Sequence, residues 1–157
     1  MLEKIITQVH RQLLLHAKTI AVAESCSGGL LSTLLTQKPG SSAYFLLGVS
    51  AYSNKAKSLL LNIPSKAISS SGAVSRKVAI LMAQNIRKKI NADFALSITG
   101  IAGPQGKTAT KPIGTVFISL ASKNKTFCNL FVFRGNRASV RRQAACAALQ
   151  LLIRNLN

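Results

Sequence analysis

The apolar positions follow two rhythms. Leu2, Ile5, Ile6, Val9 and Leu13 recur at helical spacing, so residues 2–16 read as an amphipathic helix. His16 is expected on or near its apolar face and His10 away from it. "TIAVAES" is a short apolar run of strand length, and "GLLSTLLTQ" is a helix stopped by "KPGSS". "AYFLLGVSAY" predicts a second strand, "NKAKSLLL" a short helix and "NIPSKAISSSGA" a loop. From Ser75, a natural N-cap, Val78, Met82, Ile86 and Ile90 run every fourth residue to a helix end near Asn91. "DFALSIT" is a strand that opens into the loop "GIAGPQGKTATKPIG". "TVFISLAS" and "TFCNLFVF", joined by "KNK", form a β-hairpin, and the last helix runs from about Asn136 to Asn155.

Strands alternating with helices predict an α/β layer fold, and the late hairpin makes its sheet mixed. No repeat or linker splits residues 1–157, which predicts one domain.

Apolar residues make up 48% of the chain, enough to exclude disorder. No apolar run reaches the roughly 20 residues of a membrane helix. The N-terminus has no basic start, long apolar region or small-residue cleavage site. The three cysteines, Cys26, Cys128 and Cys146, have neither disulfide nor metal spacing and fit a reducing compartment. These features predict a soluble, cytoplasmic protein.

Charge adds a second theme. Twenty-one Lys and Arg face three acids, for a net charge of +18 that would attract any polyanion. The cations are scattered, densest at Arg87–Lys89 and Arg134–Arg142, and aromatic residues are only 5%. Base-stacking platforms for nucleic acid are therefore poorly supplied.

In folds of this kind ligands sit beyond the carboxyl ends of strands. Three polar segments follow predicted strands: "ESCSGG", "YSNKAK" and "TGIAGP". In the first, a strand runs into a helix start with free N–H groups, and Gly28 and Gly29 permit close approach, as suits an anion or a developing oxyanion. It is neither a Walker loop nor a GxSxG elbow. Cys26 is the better intrinsic nucleophile, whereas Ser25 needs a base. The only histidines, His10 and His16, lie on the first helix, a poor source of a partner for the thiol. A lysine of lowered pKa can serve as base. Lys55 and Lys57 sit about 200° apart on their helix, so only one can face the sheet edge. Thr99 and Gly100 can offer a hydroxyl and N–H groups. Arg134 and Arg137 flank Gly135 and suit phosphate recognition.

"AESCSGG", "AYSNKAK", "SGAVS", "TGIAGPQGKTATKPIGTV" and "FRGNR", in that order, resemble the CinA C-terminal domain family, the nicotinamide-nucleotide amidases, over about residues 3–155. Each motif is modest; five in order are specific. The resemblance implies a three-layer α/β/α sandwich with a mixed, mostly parallel sheet. It implies hydrolysis of nicotinamide mononucleotide to nicotinate mononucleotide and ammonia, with no metal or organic cofactor, in a homodimer. Ser25 would be the nucleophile and Lys57 the base. Tyr52, Thr99 and Arg137 match further site positions, with Tyr52 a catalytic residue able to relay the proton that Lys57 otherwise returns to ammonia, Arg137 on the 5′-phosphate and Thr99 positioning substrate. Ser27, Gly28, Gly29 and Gly100 would line the substrate, their neighbourhoods supplying oxyanion donors. Ser27 stands where the family commonly has Thr, Lys107 where Gly is frequent, and Asn136 where Asp is frequent. The last change removes a possible partner of Arg137. Two other functions fit the charge and the scaffold: a nucleic-acid-binding module, and an amidase for another small amide.

Overall fold

The computed structural model of the protein describes residues 2–156. Helix α1 (Leu2–Leu15) leads to β1 (Ile20–Glu24) and α2 (Leu30–Leu35), and a 3₁₀ turn at Ser41–Ala43 precedes β2 (Phe45–Ser50). Next come α3 (Asn54–Leu61), α4 (Ser65–Ser71), α5 (Arg76–Ile90) and β3 (Phe94–Gly100). The hairpin of β4 (Thr115–Ala121) and β5 (Thr126–Val132) and the final helix α6 (Arg137–Ile153) complete the chain.

The strands form one sheet in the order β2-β1-β3-β4-β5, leaving β2 and β5 as its edges. β1 pairs in parallel with β2 and β3, while β4 is antiparallel to both β3 and β5. Four of the five strands therefore share one direction, and β4 alone is reversed. All five residues of β1 are buried, as expected of a central strand covered on both faces. Ile20 and Val22 enter the core with Ile6, Val9 and Leu13 of α1 and Val140 and Leu149 of α6. The alternate residues Ala21 and Ala23 face Val78, Met82 and Ile86 of α5, with Leu61 of α3 and Ile68 of α4. Helices thus cover both faces, giving three layers.

Local signals set several element ends. Ser75 caps α5, its Oγ accepting from the Val78 N–H, and Asn91 ends it in the left-handed region at φ 52°. Two expectations need correction. The segment read as a loop after α3 contains α4, a helix of poor intrinsic propensity held by burial of Ala67 and Ile68. The histidines are also reversed. His10 is half-buried, its Nδ1 3.2 Å from the Tyr44 hydroxyl, whereas α1 stops at Leu15 and leaves His16 exposed.

No helix among the described residues is long and apolar enough to cross a membrane.

Candidate active site

The three polar segments meet because the strands before them lie side by side. Glu24 is in register with Ser50 of β2 and with Ile98 of β3. Ser25, Ala51 and Thr99, each one residue further on, therefore share one sheet edge. A cleft of about 290 Å³ opens there, lined by Ser25, Cys26, Tyr52, Lys57, Thr99, Gly100 and Arg137 among others.

Lys57 reaches the floor from α3. Ser53 caps that helix, its Oγ accepting from the Ala56 N–H, and Lys57 sits one turn in. Its Nζ lies 3.0 Å from Ser25 Oγ, 3.0 Å from the Ala51 carbonyl and 3.5 Å from the Tyr52 carbonyl. Lys57 is 2% exposed, while Lys55 points to solvent. None of the three acids reaches it: Glu3 pairs with Lys38, Asp93 with Lys18, and Glu24 is engaged elsewhere. Burial therefore pulls the Lys57 amine below the ordinary lysine value. The same burial pushes the neighbouring Cys26 thiol up to about 11, well away from thiolate chemistry.

Glu24 is fully buried without a cation. Its carboxylate accepts from the N–H groups of Gly29, Leu31 and Ser32 and from Ser32 Oγ, at 2.7–3.1 Å. It thus caps α2 from one strand back and fixes the turn that carries Ser25. This arrangement overturns part of the oxyanion expectation. The Gly29 N–H is spent on Glu24, and the Gly28 N–H donates to the Ser25 carbonyl at 3.0 Å. Ser27, Gly28 and Gly29 do not line the cleft. Ser27 is fully buried, with Oγ unpartnered among the described residues. Among the cleft-lining residues, the amides of Cys26 and, on the other wall, of Ala102 and Gly103 donate no hydrogen bond to another described residue.

Thr99 Oγ1 donates to the Ala73 carbonyl at 2.9 Å and so holds the "SGAVS" segment against the cleft. Gly100 does line the cleft. A Cβ there would sit 2.7 Å from the Thr115 carbonyl oxygen, so only glycine fits beside β4. Arg137 crosses the rim. It donates to the Gly103 carbonyl at 2.9 Å and to the Tyr52 hydroxyl. Asn136, the departure next to it, caps α6 by accepting from the Ser139 N–H. Arg137 is therefore oriented by Gly103 and Tyr52, and the loss of an acidic neighbour is made good. Sequence reasoning missed the floor carbonyls, which have no side-chain signature, and Arg141. Arg141 donates to the Ser27 carbonyl, and its spacing of four from Arg137 is the signal that marks it. No cluster of three or more metal-ligating side chains occurs among the described residues.

Fold and site together define a three-layer α/β/α protein with a serine and a buried lysine at the carboxyl edge of its sheet. The chain belongs to the CinA C-terminal domain family, whose profile matches residues 2–156. It is 49% identical to a CinA-like protein of Geotalea daltonii over 138 residues, 88% of this chain and 33% of that protein. A CinA-like protein of Leptospira biflexa is also 49% identical, over 94% of this chain and 36% of its own length. The chain thus spans about a third of these curated relatives. Among solved structures, the competence/damage inducible protein CihA from Agrobacterium tumefaciens superposes with a TM-score of 0.95 at 33% identity, covering 99% of this chain and 95% of that one. The competence damage-inducible protein A from Klebsiella pneumoniae gives the same TM-score at 28% identity, over 99% and 96%.

Proposed function

We propose that this protein is an amidohydrolase that converts nicotinamide mononucleotide to nicotinate mononucleotide and ammonia, with Ser25 as nucleophile and Lys57 as general base. One observation carries the reading: a buried lysine with no carboxylate partner stands 3.0 Å from a serine hydroxyl at the floor of a cleft. A neutral amine has two N–H groups and one lone pair. The carbonyls of Ala51 and Tyr52 use the N–H groups, so the lone pair is left for the Ser25 hydroxyl.

Chemistry follows from that allocation. Ser25 Oγ attacks the carboxamide carbon as its proton passes to Lys57. The amide of Cys26 receives the oxyanion, with those of Ala102 and Gly103 on the other wall of the cleft. One such donor contributes roughly 3 kcal/mol in the transition state. The tetrahedral intermediate collapses, the C–N bond breaks, and Lys57 returns the proton to the departing ammonia. Water, deprotonated by Lys57, then attacks the acyl ester, releasing the carboxylate and restoring the Ser25 hydroxyl. The Tyr52 hydroxyl faces Arg137 and not the floor, so proton return falls to Lys57. Arg137, exposed at the rim, takes the 5′-phosphate in exchange for its contact with Tyr52.

The test is ammonia release from nicotinamide mononucleotide, run beside free nicotinamide. Release from the nucleotide alone supports the reading; release from neither ends it. Preference for free nicotinamide would make this an amidase for another small amide. The charge of +18 supports a second function, nucleic-acid binding. DNA binding with a steep salt slope and no ammonia release would favour that one. The homodimer implied by the resemblance is part of the proposal, and sedimentation in solution checks it.

A further inference from the structure

The turn that carries the nucleophile is unusual backbone. Gly28 and Gly29 both have positive φ, 59° and 91°, and α2 has no side-chain cap of its own to hold them. Two charged groups from different parts of the fold close the turn. Glu24 takes the N–H groups at its end, as described above. Arg141, in the second turn of α6, takes the Ser27 carbonyl with Nε at 3.1 Å and Nη2 at 2.7 Å. A Cβ added at Gly28 would stand 3.4 Å from the same Nη2, so the guanidinium lies against the turn itself.

Arg141 does not line the cleft. It grips the turn from outside at Ser27, between the cleft-lining Cys26 and the two left-handed glycines. Four residues earlier on α6, Arg137 grips the Gly103 carbonyl on the opposite wall. Residues at this spacing share a helix face. One rigid face of α6, capped by Asn136 and anchored by buried Val140 and Ala144, therefore fastens both walls that carry unspent amides. Small displacements of such donors are costly, because an oxyanion site works through preset geometry.

We propose that Arg141 is a positioning residue that, through its hold on the Ser27 carbonyl, sets the Cys26 amide for the oxyanion. This assignment rests on the amidase reading above. The experiment compares wild type with Arg141→Met, Arg141→Lys and a control, Arg142→Met, which alters an exposed neighbour. Two readouts are taken: kcat and KM for ammonia release from nicotinamide mononucleotide, and the rate at which a fluorophosphonate modifies Ser25. The probe's phosphonyl oxygen occupies the oxyanion position, so both rates depend on the same amides.

Arg141→Met should lower kcat about 100-fold and the probe rate in parallel, with KM within about threefold. Arg141→Lys, which keeps one N–H toward Ser27, should recover roughly tenfold of that loss. Arg142→Met should match wild type. If Arg141→Met fails to fold, Arg141→Lys carries the test through a kcat loss of roughly tenfold at unchanged KM. A raised KM at unchanged kcat would make Arg141 a substrate contact and overturn the assignment, as would variants equal to wild type. Wild-type protein inert toward both amide and probe would fail the amidase reading itself, a different outcome.

Discussion

At the floor of the cleft Ser25 is 8% exposed and Lys57 2%, and backbone carbonyls take the amine's remaining contacts. At the rim Tyr52 is 56% exposed and Arg137 lies in solvent, tied only to a loop carbonyl and that tyrosine. The two regions hold cations in opposite ways. A buried amine without a counter-ion lowers stability, so its retention points to a use for the neutral nitrogen. An exposed guanidinium costs little and keeps its charge, which suits recognition of an anion that does not react. The floor is thus equipped for proton transfer and the rim for binding.

Substitutions at the floor test this division most severely. Ser25→Ala should lower ammonia release by about 10⁴-fold or more with an unchanged circular dichroism spectrum. Activity surviving in Ser25→Ala but lost in Cys26→Ala would move the chemistry to the thiol. Lys57→Met should cost about 10²–10⁴-fold in kcat yet raise the melting temperature at neutral pH. The sign follows from the lowered pKa of Lys57. Between that value and the ordinary lysine value the unfolded chain binds more protons than the folded one. Native stability therefore falls as pH drops through this window and levels off below the folded pKa. The gap in melting temperature between Lys57→Met and wild type should close as pH approaches the ordinary lysine value.

The same shift governs rate. In wild type kcat/KM should rise with pH and level off above the lowered pKa of Lys57, with its midpoint below the ordinary lysine value. A midpoint at or above the ordinary lysine value would deny Lys57 its role as a base of lowered pKa. At the rim, Arg137→Ala should raise KM by about 10–100-fold and leave kcat within about threefold. An unchanged KM would remove Arg137 from substrate binding. The smallest effect belongs to Cys26→Ser. With the thiol held up at about 11 by burial, kcat should stay within about threefold of wild type.

Elements with local signals were legible in the chain itself. The caps Ser75 and Asn91 mark both ends of α5, because capping is decided within four residues. Helix α4 was not legible: "SKAISSS" has little propensity, and what holds it is contact with α5 and α3. The site divides similarly. The carboxyl-edge rule brings Ser25, Thr99 and the lysine segment to one place, since strand order places them there. The choice between Lys55 and Lys57 needed the helix's rotation against the sheet, which periodicity over eight residues does not fix. A strand running into a helix start predicts free amides at Gly29, but here the Gly29 N–H is taken by the Glu24 carboxylate. Glu24, one of three acids in the chain and placed just before the turn, was the clue that those amides were already spent.

The outer border of the hairpin has a colloidal consequence. From Thr126 to Phe133 there is no charged residue, and Phe127, Leu130 and Val132 are open to water along a strand with one unpaired side. Such a border invites another chain to add on. Mutual repulsion between strongly cationic molecules opposes further association through this border at low ionic strength. Around 1 M salt, where screening shortens to roughly 3 Å, that protection fades and self-association should begin along β5.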